Sequence, residues 1–170
     1  AAVVAGPAGI GKSTLCRQAV STRAGEQLDD WRSSGGLASM RWVPFLVFRR
    51  IFGEKTRGSP DLVAAQVLRL APKGLILDDL QWADDLSLEV TATLVGRLPM
   101  LATVRSGDPR AASTLEALDL VGFRRFDLEP LDDRSSRRVV AALHSNLSVE
   151  EQGRVVRQAA GNPLLLTELV

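Results

Sequence analysis

Apolar positions along this chain fall into short runs separated by stretches with helical spacing. Ala1–Ala5 is an apolar run that ends at a glycine loop, the pattern of a buried strand. Lys12–Arg23 follows with Leu15, Ala19 and Val20 at helical spacing, and Gly25–Ser39, polar and rich in Gly and Ser, reads as a loop. Within Arg41–Phe52, Phe45, Phe48 and Phe52 lie at i, i+3 and i+7 and Pro44 suits a first helical turn, so a helix is predicted over a competing strand. Glu54–Ser59 reads as a loop. Ser59-Pro60-Asp61 joins a cap, a proline and a first-turn acid at a helix start, and that helix runs to Ala71 before Pro72. Gly74–Asp78 is a second apolar run without polar alternation, as expected of a parallel strand buried on both faces. Helices over Leu86–Leu98 and Thr114–Leu120 alternate with strands over Leu101–Arg105 and Arg125–Leu128. Asp133–Leu143 is amphipathic, a capping box at Ser148-Val-Glu-Glu151 opens a helix to Ala160, Gly161 stops it, and Asn162-Pro163 begins the last. Strands and helices alternate to about residue 130 and helices alone follow, which predicts an α/β core over 1–130 and the start of a helical unit over 131–170.

Composition narrows the function classes. At 170 residues, 45% apolar and 24% charged, the chain suits one globular domain and excludes disorder, collagen or coiled coil as whole-chain descriptions. A net charge of +1 argues against a general nucleic-acid binder, so no direct nucleic-acid contact is expected. No apolar run approaches the roughly 20 residues of a membrane-spanning helix, so no membrane partner is expected either. A single cysteine, Cys16, excludes an internal disulfide and a multi-cysteine metal site; with no signal peptide visible, a cytoplasmic location is expected. The chain starts without Met on a strand-like run and ends inside the helical pattern LLLTELV, and so reads as a piece of a larger multidomain protein.

Gly6-Pro7-Ala8-Gly9-Ile10-Gly11-Lys12-Ser13 matches G-x-x-x-x-G-K-[ST] at every fixed position, with a strand before it and a helix after. Glycines let the backbone curl so that successive N–H groups face phosphate oxygens, and the helix beginning near Lys12 adds its positive end. Lys12 supplies a cation for the outer phosphates, and the Ser13 hydroxyl is a hard oxygen suited to Mg²⁺. A dinucleotide fingerprint fails because Ala8 stands at its middle glycine.

Leu75-Ile-Leu-Asp78-Asp79 puts two acids at the carboxyl end of a strand, the ligand-binding end of such sheets. Asp78 is placed to hold Mg²⁺ opposite Ser13, and Asp79, facing elsewhere, to orient an attacking water. Arg105, a cation at another strand end, is a candidate for a γ-phosphate.

Asp78-Asp79-Leu-Gln81-Trp82-Ala83-Asp84 resembles the signature of STAND-class AAA-like P-loop ATPases, the signalling NTPases with numerous domains, and in particular the ATPase module of large LuxR-family, MalT-like transcriptional regulators. Ala2–Thr14 is similar to that family's nucleotide loop, Leu101–Arg105 to its sensor strand, Leu128–Asp133 to its link from sheet to lid, and Gly161-Asn162-Pro163 to its Gly-x-Pro element. The resemblance implies a P-loop NTPase fold, a parallel sheet flanked by helices and followed by the start of a truncated lid. It also implies that the Leu101–Arg105 strand lies between the Ala1–Ala5 and Gly74–Asp78 strands. It implies ATP/ADP and Mg²⁺ as cofactors, and an ATP-binding, slowly hydrolysing switch that self-associates on binding ATP. Thr14, Thr103 and Pro163 join Lys12 and Arg105 as expected nucleotide contacts, and Lys12, Asp79 and Arg105 are the expected catalytic groups. The family's second strand is hard to find within polar Gly25–Ser39, so that edge of the sheet is expected to be missing, short or irregular. Two alternatives stay open: a nucleotide-binding scaffold with negligible turnover, and a small-molecule P-loop kinase. Trp82 and Cys16 read as packing, and His144 and the Arg134, Arg137, Arg138 group as solvated surface.

Overall fold

The structure is a computed structural model that describes residues 1–22, 30–54, 56–144 and 146–169. The ends of three expected segments, Arg23, residues 25–29 and Val170, and Lys55 within a predicted loop, lie outside the described residues. The first half of the chain forms β1 (Ala2–Gly6), α1 (Lys12–Ser21), β2 (Trp31–Gly35), α2 (Leu46–Phe52), α3 (Pro60–Arg69) and β3 (Gly74–Asp78). The second half forms α4 (Asp85–Leu94), β4 (Met100–Arg105), α5 (Ala111–Leu120), β5 (Arg124–Asp127), α6 (Asp133–Leu143), α7 (Val149–Ala159) and α8 (Pro163–Glu168).

The five strands are parallel and lie in the order β2-β3-β4-β1-β5. β1 and β3 therefore do not pair; β4 runs between them, as the resemblance implied. Alternation along the central strands covers both faces. Val3, Ala5, Leu75, Leu77, Ala102 and Val104 join the main core with residues of α2 through α5, whereas Val4 and Ile76 meet Cys16 and Val20 of α1 and Trp31 of β2. Burial, with the Asp78 carboxylate adding to it against Arg17, pushes the Cys16 thiol up to about 11, so it stays protonated at neutral pH and acts as packing. Among the described residues no helix is long and apolar enough to cross a membrane.

The loop reading of Gly25–Ser39 is overturned over Trp31–Gly35, which forms a short parallel edge strand on β3 from Trp31↔Gly74 to Gly35↔Asp78. Its polar letters mislead because an edge strand exposes much of itself: Arg32 and Ser33 are exposed, while Trp31 and Gly35 are buried. Two glycines make the pairing possible. A Cβ on Gly74 would come within 2.6 Å of the Trp31 ring, and one on Gly35 within 2.4 Å of the Asp78 carbonyl oxygen. The helix expected over Arg41–Phe52 is likewise shorter, beginning at Leu46, and Pro44 stands before it rather than in its first turn. Phe45 adopts a left-handed conformation (φ 57°) there, and the N–H groups of Phe45 and Leu46 donate to the carboxylate of Asp84 at 2.9 and 3.1 Å. That carboxylate also caps α4, accepting from the Ser87 N–H at 2.9 Å and from the Ser87 hydroxyl. Helix α4 stops at Leu94, short of the expected Leu98, where Gly96 turns the chain with a φ of 76°.

Helices α6, α7 and α8 have their own small core of Val140, Val155, Val156, Ala159 and Leu166. The predicted caps are present: Ser59 and Pro60 open α3, Ser148 and Glu151 form a reciprocal box on α7, and Asn162 caps α8. His144, Arg134, Arg137 and Arg138 are exposed.

Candidate functional site

The carboxyl ends of β1, β3 and β4 open onto a cavity of about 450 Å³. The glycine loop supplies Ala8, Gly9, Gly11, Lys12, Ser13 and Thr14 to its wall, β3 leads into Asp79, β4 ends at Arg105, and α8 contributes Pro163, Leu164 and Thr167. Gly9 and Gly11 hold φ values of 74° and 97°, left-handed conformations that glycine adopts without steric cost. A Cβ on Gly9 would also sit 2.7 Å from Asn162 Oδ1, so the loop and the start of α8 fit only around a residue with no side chain.

The Lys12 ammonium is buried at the base of the cavity and donates to the carbonyl oxygens of Gly6 at 3.0 Å and Pro7 at 2.9 Å. Burial holds its pKa below the ordinary lysine value; Asp79 and Asp78 push the other way, and Arg105 adds like-charge repulsion. Ser13 Oγ donates to Asp78 Oδ1 at 2.8 Å, bringing together the two oxygens expected to hold Mg²⁺. These are hard donors of the right kind, and Mg²⁺, which keeps several waters, needs only one or two protein oxygens beside a nucleotide's phosphates. No cluster of three or more His, Cys, Asp or Glu side chains able to hold a metal ion is present among the described residues. Arg17 Nη2 lies 3.8 Å from Asp78 Oδ2.

Asp78 and Asp79 diverge because β3 ends between them. Asp79 takes a left-handed conformation (φ 51°), which swings its carboxylate into the cavity. Thr103 lies beneath both acids. Its hydroxyl donates to Asp78 Oδ1 and accepts from the Asp79 N–H, each at 2.9 Å, and it is fully buried. Of the expected nucleotide contacts, Thr103 thus supports the Asp78 carboxylate and the Asp79 backbone from below and is not a wall of the cavity. Gly6, Pro7 and Ile10 shape the loop from behind: the first two through their carbonyls, Ile10 by its burial.

Four residues of the site were not singled out by sequence reasoning. Gln81 lies under Asp79 and Arg105. Asn162 Nδ2 donates to the Ala8 carbonyl at 2.9 Å, and the Leu164 N–H donates to the Gly9 carbonyl at 3.2 Å, so α8 is fastened to the glycine loop. Leu164 and Thr167 extend the wall begun by Pro163. Helical spacing after Pro163 points to Thr167 one turn on; Gln81 falls within the Asp78–Asp84 signature stretch and Asn162 within the Gly161–Pro163 element as a cap, but those motifs give neither residue a partner in the site.

No family description and no curated protein matches the sequence. Solved structures do resemble it. A signal transduction ATPase with numerous domains (STAND) protein with a tetratricopeptide repeat sensor, from Pyrococcus horikoshii, aligns over 97% of this chain and 26% of its own length, at 18% identity and a TM-score of 0.54. A mutant RuvB from Thermotoga maritima aligns over 98% of this chain and 52% of its own, at 16% identity and a TM-score of 0.64. The ORC2 protein of Aeropyrum pernix, solved with ADPNP and ADP, aligns over 99% and 54%, at 17% identity and a TM-score of 0.60. The chain spans from about a quarter to about half of these proteins, and the likeness is one of fold: a P-loop NTPase fold with a parallel sheet flanked by helices.

Proposed function

We propose that this chain is the ATP-binding, slowly hydrolysing switch module of a larger cytoplasmic signalling protein, a transcriptional regulator of the LuxR-family, MalT-like kind. One observation carries the reading: four segments far apart in sequence converge on one cavity, with Lys12 and Ser13 on the loop, Asp79 and Arg105 at strand ends, and Pro163 on the helical unit. Residues 1–130 would be the ATPase core and 131–170 the beginning of its lid.

In this reading the loop amides and the α1 N-terminus receive the phosphates. Lys12 and Arg105 place two cations where charge gathers on the transferring phosphoryl group. Asp79 accepts a hydrogen bond from a water and orients it. Ser13 and Asp78 would hold Mg²⁺, whose chemistry there is to neutralise phosphate charge. The contacts of Asn162 and Leu164 with Ala8 and Gly9 supply the link by which loop occupancy biases the helical unit. Moving such a switch from 1:99 to 99:1 takes about 5.5 kcal/mol of differential binding, within reach of a few charge-assisted hydrogen bonds.

A nucleotide-binding scaffold with negligible turnover is favoured by one feature: Asp79 has a short side chain, and one of its oxygens already accepts from Gln81. The strand order weighs against the small-molecule kinase alternative, because kinases of this class pair β1 directly with β3.

The test is calorimetric titration of ATP with Mg²⁺ alongside phosphate release, with and without small hydroxyl acceptors. The parent should bind ATP and release phosphate slowly, with no effect of acceptors. Lys12→Ala should bind about 10–150-fold more weakly, the loss of one charge-assisted contact. Unchanged affinity in Lys12→Ala would sink the site assignment, and acceptor-dependent turnover would favour the kinase.

A further inference from the structure

Gln81 is fully buried, yet both ends of its amide reach functional groups. Its Nε2 donates to Asp79 Oδ1 at 3.2 Å, and its Oε1 accepts from the backbone N–H of Arg105 at 2.9 Å. The partners fix the orientation of the amide, since a carboxylate can only accept and an N–H can only donate. The residue sits in a single 3₁₀ turn, Leu80–Trp82, that follows directly on left-handed Asp79. On its far side β4 ends at Arg105, whose side chain is exposed at the cavity. One buried side chain thus spans two cavity-wall residues, Asp79 just past the end of β3 and Arg105 at the end of β4.

We infer that Gln81 is a positioning residue that fixes the Asp79 carboxylate and the Arg105-bearing strand end relative to each other, so that water orientation and γ-phosphate sensing are set together. The inference rests on the ATP-hydrolysis reading for its Asp79 half. Aspartate has a short reach, and a left-handed backbone is a strained way to hold it. A donor on Oδ1 steadies that carboxylate and leaves Oδ2 for a water. The acceptor on the Arg105 N–H pins the last residue of β4, beyond which the chain leaves the sheet through Ser106, whose N–H donates to the Gly6 carbonyl at 3.0 Å. Displacement of either end of Gln81 therefore acts on the other.

Two substitutions separate the two ends. Gln81→Met keeps length and burial and loses both hydrogen bonds. Gln81→Glu keeps an acceptor for the Arg105 N–H but sets a carboxylate against Asp79. Both are assayed for kcat, KM and the ratio of ADP to ATP dissociation constants, with thermal melts as a control. Gln81→Met should lower kcat about 10–100-fold with KM within about threefold, and its ADP:ATP ratio should fall towards one. Gln81→Glu should lower kcat at least as far and keep the parent's ratio. A parent-like kcat together with a parent-like ratio in Gln81→Met overturns the inference, as does a loss of ATP and ADP binding in equal measure. If Gln81→Met fails to fold, Gln81→Glu decides: a parent-like kcat overturns the inference. A parent that binds ATP without turning it over removes the hydrolysis reading instead, and the ratio in Gln81→Met then decides, with an unchanged value overturning the inference.

Discussion

Two adjacent acids show how a single backbone choice divides labour. Asp78, still in the strand, faces Ser13, and Asp79, one residue beyond and left-handed, faces the cavity. If Asp78 and Ser13 hold Mg²⁺, Asp78→Ala should weaken ATP binding about 10-fold or more with magnesium present and much less with magnesium chelated, as read by paired titrations. Asp79→Ala should leave ATP affinity nearly intact and lower single-turnover hydrolysis. Hydrolysis by Asp79→Ala at the parent rate would remove Asp79 from the catalytic assignment. Gly9 illustrates the opposite case, in which packing needs the absence of a side chain: the space a Cβ would take is filled by Asn162 and Leu164.

Elements here are anchored by one another more than by their own propensities. Asp84 is buried and joins two helices, capping α4 through Ser87 and anchoring the start of α2 through Phe45 and Leu46. Asp84→Ala leaves those buried N–H groups unpaired and should cost about 2–4 kcal/mol, seen as a lower urea midpoint, whereas loss of a single exposed cap costs about 1 kcal/mol. The exposed caps carry a pH signature. The N–H and hydroxyl of Ser135 hold the Asp132 carboxyl below its usual value, and the hydroxyl and N–H of Ser148 do the same for Glu151. A carboxyl whose pKa is lowered by folding stabilises the folded form above the unfolded pKa and loses that effect as pH falls through the folded one. Amide exchange at the starts of α6 and α7 should therefore quicken as pH drops below the ordinary carboxylate range, after correction for intrinsic rates. Asp132→Asn and Glu151→Gln should flatten the response.

Across the whole molecule, the sheet and the helical unit meet at the glycine loop. Asn162 and Ala8 are 154 residues apart in sequence and 2.9 Å apart in space, and behind Asn162 the Leu131 N–H donates to the Gly161 carbonyl at 2.8 Å. Gly161 is required there, because a Cβ would come within 2.3 Å of the Leu131 carbonyl oxygen. Asn162→Ala removes a cap and a tether at once. It should leave the α/β core folded and weaken ATP binding about 5–30-fold, the equivalent of about 1–2 kcal/mol. It should also abolish any nucleotide-dependent change in proteolysis of α8. A nucleotide response of α8 in Asn162→Ala equal to the parent's would show that the link runs elsewhere.

The glycine loop, the acid pair at the end of β3 and the helix caps were legible from letters alone. Each is a local device, a run of residues whose backbone freedom, charge or side-chain oxygen acts on neighbours a few positions away. The strand order needed more than that. It was expected from the resemblance of the Asp78–Asp84 stretch, and pairing through β4 bears it out. Three features were set by tertiary structure. Polar Trp31–Gly35 became a strand because β3 offered it a free edge and Gly74 left room for Trp31. The start of α2 moved past Pro44 because Asp84, far along the chain, received its N–H groups. Gln81 and Asn162 gained their roles from partners on other strands and loops. A hydrogen-bonding side chain states what it can donate or accept, but its partner is chosen by the packing of elements around it, and that information is spread over the whole chain.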